Sequence, residues 1–373
     1  MTTSAIPTSA ASQPAESDTA ASRRSFASPL AIWVGLATLY FVWGSTYIGI
    51  KIAVESMPAF VMASGRFLLA GVLLLGWCVF REGRGAVRIR RIELRDSFVV
   101  GALLLGGGMG MVALAEKTIP SGITALLIAL MPVWVAVLGR IVFGERLPRI
   151  VVVGIVIGLV GVAVLVAPTE GSLSFEAGGL AAVLISPICW SSGSLYSSHR
   201  AHLPSLPLVA TAYQMLCGGV VLALMALVTG EFEHFSIGAV TPASWLGFIY
   251  LVTIGSGIGY TTYVWLLRVA PLPKIATYAY VNPVVAFVLS AIFLGEALSG
   301  RTVAAAVIIV AAVALIVTAR SRAGVVSDLD PLDAVEAGEP ALGHPADATA
   351  GTAADQASGA AREAGSPAGP APA

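Results

Sequence analysis

The chain has 373 residues, 57% hydrophobic and only 11% charged, with a mean hydropathy of +0.88. Soluble domains carry about 25% charged residues, so the composition argues against an ordinary water-soluble enzyme. Its 21 Lys and Arg cancel 21 Asp and Glu, which leaves no basic surface for nucleic acid.

Residues 1–29 are rich in Ser, Thr, Ala and Pro and end in Arg23-Arg24 before an apolar run. The polar stretch is too long, and the following run too long, for a cleaved signal peptide, so it reads as a disordered tail. About 20 residues of helix cross a hydrocarbon core of about 30 Å. On that measure residues 30–319 divide into ten spans: 30–50, 58–80, 96–115, 121–143, 150–167, 177–198, 206–229, 243–267, 274–294 and 302–319. The spans are apolar all round and glycine-rich, as suits helices packed against one another in lipid. Residues 320–373 hold three arginines against eight acids in an Ala, Gly and Pro background and read as a disordered acidic tail. Cys78, Cys189 and Cys217 lie in apolar runs without metal-ligand spacing and read as packing residues; no motif calls for a metal or cofactor.

Placing Arg23 and Arg24 in the cytoplasm puts 16 Lys and Arg on the inner side and three (Lys51, Lys117 and Arg301) outside. The expectation is a multi-pass protein of the cytoplasmic membrane with both termini inside. The sequence also repeats itself. MPVWVAVLGRIVFGE (131–145) matches NPVVAFVLSAIFLGE (282–296) at an offset of 151, which also pairs Gly106 with Gly257 and Gly108 with Gly259. An offset of 147 pairs Trp43 with Trp190 and Gly71 with Gly218. Five spans per half is an odd number, so the second half enters inverted, with Glu145 on the cytoplasmic side and Glu296 outside. Two inverted halves are the architecture of alternating-access carriers.

The segments WGSTYIGIKIAVESMPAFVMASGRFLLAG (43–71), GERLP (144–148) and NPVVAFVLSAIFLGEALSG (282–300) resemble the EamA family of the drug/metabolite transporter superfamily. The resemblance covers 30–319, as one five-helix repeat over 30–167 and a second over 177–319. It implies an all-α, ten-helix, exporter-like fold with cytoplasmic termini. It further implies a cavity between the halves, lined mainly by spans 1, 3, 4, 6, 8 and 9. Members handle amino acids, metabolites, nucleotide-sugars or toxic compounds, and the motifs specify the family rather than a substrate.

Candidate solute-binding residues follow from chemistry and spacing. Trp43 and Tyr47 share one face of span 1 with Tyr40 and Lys51, and suit a cavity wall, an aromatic belt or core packing. Trp190 and Ser194 repeat the theme in span 6, and Ser256, Tyr260 and Tyr263 lie roughly on one face of span 8. Tyr278 and Asn282 stand one turn apart in span 9, and Asn282 is the strongest single polar candidate. Thr124 lies near the Pro132 kink. Pro132 and Pro283 each remove an N–H, so they read as paired hinges or as fixed kinks. Arg66 is the strongly charged residue well inside a span. It suits an anionic solute group, or a structural or gating role with helix carbonyls, Glu55 or Glu116. Lys51, Glu116 and Lys117 flank the outer mouth, as gate charges or solvated ends.

No Asp, Glu or His lies at mid-span, so proton antiport has no direct support unless Glu55 or Glu116 moves inward. No P-loop is present, which argues against primary pumping. The expected function is therefore secondary transport of a small organic solute, with export favoured, and with lipid as its surroundings and no obligate protein partner. A passive channel or an intramembrane enzyme is the alternative. The channel lacks a continuous polar stripe, and the enzyme lacks a nucleophile with its base at membrane depth.

Overall fold

The computed structural model describes residues 28–167, 176–270, 272–296 and 299–327. The expected tails fall outside these residues, apart from 28–29 and 320–327. The helices are α1 Pro29–Val54, α2 Ala59–Glu82, α3 Arg91–Ala115, α4 Ser121–Phe143, α5 Arg149–Val166, α6 Ala177–His199, α7 Pro207–Val228 and α8 Pro242–Leu266. They are followed by α9 Tyr278–Leu294 and α10 Gly300–Ser327. Among the described residues nine helices are long and apolar enough to cross a membrane. The tenth, α9, has 17 residues and is preceded by a one-turn helix, Leu272–Ile275. Residues 320–327, expected in the acidic tail, continue α10 instead. Their Ala- and Val-containing sequence still permits helix, and only beyond Ser327 does the acidic run begin.

Helices are the economical answer here because hydrocarbon offers no partner to a backbone N–H or C=O. Their ends are written in local chemistry. The Ser28 hydroxyl accepts from Ala31 N–H at 3.2 Å and Pro29 opens α1. Pro58, Pro120 and Pro148 stand immediately before α2, α4 and α5. Gly144 and Gly295, at φ 70° and 65°, stop α4 and α9 in the left-handed conformation that glycine tolerates best. They are repeat partners, so each half ends its fourth helix in the same way.

The halves are inverted. Glu296, just past α9, accepts from Ser121 N–H at 2.7 Å and Gly122 N–H at 3.0 Å at the start of α4. Glu145, its repeat partner, follows the end of the same helix. The 23 residues of α4 span roughly 35 Å. Glu145 and Glu296 therefore stand at opposite ends of the bundle.

Glycine sets how closely the helices approach. On α2 and α7, Gly71 faces Leu216, and a Cβ on Gly219 would stand 2.8 Å from Leu68. A Cβ on Gly101 of α3 would stand 2.4 Å from the Gln214 carbonyl oxygen of α7, and one on Gly154 of α5 would stand 2.6 Å from Ile316 of α10. At these positions the absence of a side chain lets neighbouring helices pack closely. Because the obstacle at Gly101 is backbone, Gly101→Val should separate α3 from α7. The expected result is a markedly lower melting temperature and loss of a monodisperse peak in size-exclusion chromatography. Outward, Phe41, Leu73, Val156, Leu227 and Ile292 are exposed, the pattern of a bundle solvated by hydrocarbon.

Three features depart from regular α-helix. Residues Ala102–Met109 of α3 and Leu251–Ile258 of α8 are wound as π-helix. At the 151 offset the two stretches overlap over 102–107 and 253–258, which contain the paired glycines Gly106 and Gly257, and their ends are shifted by two residues. The paired proline kinks, by contrast, are not equivalent. In α4 the helix breaks at Ala129–Leu130 and restarts at Met131 with Pro132 in its first turn. In α9 the helix runs through Pro283, and the interruption lies upstream at Ala276–Thr277.

At the Glu145 end, Asp96 is fully buried. It accepts from Arg95 Nε at 2.8 Å, Tyr196 OH at 3.0 Å and His202 N–H at 2.7 Å. The carboxylate thereby ties α3 to the end of α6, which accounts for a charge at the edge of a span.

Candidate solute-binding site

Trp43 is the centre of the site. It projects from α1 onto Gly259 of α8, where a Cβ would meet the indole Nε1 at 2.5 Å. Its ring centroid lies 5.6 Å from Tyr260, 5.3 Å from Tyr263 and 5.2 Å from Tyr278. Tyr263 and Tyr278 pack edge to face at 6.1 Å. Tilted and edge-on pairs of this kind suit the ring quadrupole and hold the rings rigidly. One turn before Trp43, the Tyr40 hydroxyl is hydrogen-bonded to the Thr277 hydroxyl. All four rings of the cluster are half-buried although they face neighbouring helices rather than lipid. The aromatic-belt reading of Trp43 gives way to an aromatic cluster joining the two halves, with Trp43 from the first and the three tyrosines from the second.

Trp190, the repeat partner of Trp43, sits on Gly108, the repeat partner of Gly259, where a Cβ would stand 2.8 Å from Trp190 Cε3. The seat is conserved by the internal repeat, but tyrosines do not surround it: Ser194 stands half-buried one turn further on. Trp190 is thus placed apart from the Trp43 cluster.

Next to the cluster lies the buried cation. Arg66 is 4% exposed; its Nε donates to Ser256 Oγ at 3.2 Å and its guanidinium lies 4.8 Å from the Phe67 ring centroid. Ser256 is one turn before Tyr260, so α8 presents the arginine's partner and a cluster ring on one face. A Cβ on Gly255 would lie in ordinary contact with Arg66, 3.5 Å from Nη2. Among the described residues Arg66 makes no ion pair within 4 Å of Glu55 or Glu116. Glu55 is exposed.

Asn282, one turn beyond Tyr278, is 9% exposed, and among the described residues its Oδ1 has no hydrogen-bond donor. Thr124 Oγ1, fully buried, is likewise without a partner among the described residues. Gly44 lets α1 approach α9 here, with a Cβ position 3.2 Å from the Asn282 carbonyl oxygen.

The Glu296 end is densely packed, with Ala115, Glu116, Ile119 and Ser121 fully buried. Lys51 Nζ donates to the Glu116 carbonyl at 2.6 Å, and Glu116 is fully buried, while Lys117 is exposed. Tyr47 lies half-buried beneath, its carbonyl facing the Ser121 hydroxyl at 3.5 Å. At the other end Glu145 is held by Arg320 at 2.9 Å and His199 at 3.5 Å. The arrangement at the Glu296 end is one-sided by sequence. The repeat position of Gly122 is Pro273, which has no N–H for a second glutamate bond.

Sequence reading did not single out Glu296 as the group that holds the start of α4. It also missed Glu231, whose carboxylate accepts from Phe60 N–H at 2.8 Å and Val61 N–H at 3.0 Å at the start of α2. The repeated Gly-Glu pair was the available signal for the first; nothing local marks the second.

A bundle of inverted halves whose helices are long and apolar enough to cross a membrane fits a multi-pass membrane transporter. The model of the EamA-like transporter family matches residues 30–167 and again 177–318, and the chain belongs to that family. A relative in Escherichia coli (strain K12), the "Uncharacterized inner membrane transporter YedA", is 39% identical over 291 residues, 77% of this chain and 90% of that protein. A "Probable amino-acid metabolite efflux pump" of Salmonella typhimurium is 26% identical over 282 residues, 72% of this chain and 89% of that protein. A solved crystal structure shares the fold with a TM-score of 0.55 at 21% identity, covering 79% of this chain and 99% of that one.

Proposed function

We propose that this protein is an alternating-access exporter of a small organic solute that bears a carboxylate, with amino-acid metabolites as the first class to test. One observation carries the reading: the Trp43, Tyr260, Tyr263 and Tyr278 rings stand beside a buried guanidinium at the junction of the inverted halves. Aromatic faces take the apolar part of a solute, and Arg66 takes its carboxylate. Asn282 and Thr124 supply the remaining polar contacts. The name of the Salmonella typhimurium relative supports both the class and the direction. The charge bias supports a cytoplasmic Glu145 end and an outer Glu296 end. In that orientation the packed Glu296 end is the outer gate, and export requires it to open.

The test is counterflow of a radiolabelled amino-acid panel into proteoliposomes holding the full chain. A carrier gives saturable uptake that rises when unlabelled solute is present on the far side. Flux without that stimulation, or no flux for any member of the panel, would refute the proposal.

A further inference from the structure

The buried groups at the Glu296 end include one that the site does not use. Among the described residues, neither Glu116 carboxyl oxygen has a hydrogen-bond donor, and the side chain is fully buried. The donors around it are committed elsewhere. Lys51 Nζ, from α1, is on the Glu116 main-chain carbonyl, and Arg66 Nε, from α2, is on Ser256. On α4, the Ser121 N–H is on Glu296, and the Ser121 hydroxyl, which lies near the Glu116 carboxyl without a hydrogen bond to it, stands 3.5 Å from the Tyr47 carbonyl. The charged and titratable groups facing the carboxyl are thus Lys51 and Tyr47 of α1, Arg66 of α2 and Glu296 from beyond α9.

An ionised carboxylate without donors in a dry site is costly, and the group takes a proton instead. Glu116 lies just beyond the end of α3. Burial pushes its carboxyl well above the ordinary carboxylate range, with Lys51, the neighbouring Ser121 hydroxyl and Arg66 opposing the shift and Glu296 adding to it. When the Glu296 end opens, water reaches the carboxyl and the ordinary range returns.

We propose that Glu116 is a proton-binding site that governs closure of the Glu296 end: it takes one proton from the water on that side as the end closes and returns it as the end opens. This rests on the alternating-access reading and adds a pH dependence to it. The sign follows from linkage. The closed form binds the proton more tightly, so closure is favoured at low pH. That advantage is lost as pH rises from the ordinary carboxylate range toward the raised value, by about tenfold per pH unit.

The experiment uses the full chain in proteoliposomes with Cys78, Cys189 and Cys217 replaced by serine and Thr124 by cysteine. An impermeant thiol reagent is added from the Glu296 side across a pH series. Rates are referred to a Lys117→Cys control, which corrects for thiol ionisation. We expect corrected labelling to rise steeply with pH, and to stay low and flat in Glu116→Gln, which is neutral at every pH. Infrared spectroscopy supplies a second readout, the carbonyl stretch of a neutral carboxyl at low pH that Glu116→Gln lacks. Labelling that ignores pH, or a Glu116→Gln variant that follows the parent, would overturn the proposal. Neither measurement needs a transported solute, so the counterflow assay can fail without deciding this one.

Discussion

Trp43→Ala is expected to lower counterflow by about tenfold or more, the equivalent of about 1.4 kcal/mol or more of lost solute stabilisation. The indole bridges three tyrosines of the opposite half and occupies the hollow at Gly259. Truncation removes the ring a solute would stack on and frees the tyrosines from their edge-on geometry, each such pair being worth about 0.5–1.5 kcal/mol. Trp43→Phe keeps an aromatic face and should recover most of the activity. Counterflow read beside a thermal melt separates the effects. A variant that melts like the parent but does not exchange solute supports a binding role, whereas parental exchange by Trp43→Ala would move the site elsewhere.

The second large effect concerns Glu296. Its carboxylate holds two N–H groups at the start of α4, where the helix dipole adds to the attraction. Glu296 is half-exposed, so we take about 2 kcal/mol for the pair of bonds, below the range for fully buried charged bonds. Glu296→Ala should therefore shift the carrier toward the form open at this end by about thirtyfold. The Thr124→Cys reporter should label correspondingly faster from the Glu296 side at neutral pH. Equal labelling in parent and variant would show that α4 is held by packing alone.

Much of this architecture is legible in the amino-acid order because lipid imposes it. Span lengths follow from the hydrocarbon thickness, and Gly144 and Gly295 mark equivalent helix ends. The offsets of 147 and 151 pair not only Trp43 with Trp190 but also the glycines on which they sit, so a two-residue packing contact was written twice. What could not be read was which distant ends meet. Nothing near Glu296 indicates that it reaches Ser121, because that contact depends on the inverted halves coming together. The surroundings of the two tryptophans also differ for a non-local reason: Tyr260, Tyr263 and Tyr278 have no aromatic counterparts around Trp190. The two prolines also sit differently: Pro132 follows a break in its helix, whereas Pro283 lies within a continuous one.

The wide-turn stretches Ala102–Met109 and Leu251–Ile258 have a historical consequence. A π-helical stretch is rare and is commonly used in single turns. At the 151 offset the two stretches share 102–107 with 253–258, although their ends are shifted by two residues. That overlap is what duplication of a five-helix unit already wound in this way would leave, and such a unit would have had to enter the bilayer in both orientations to pair with itself.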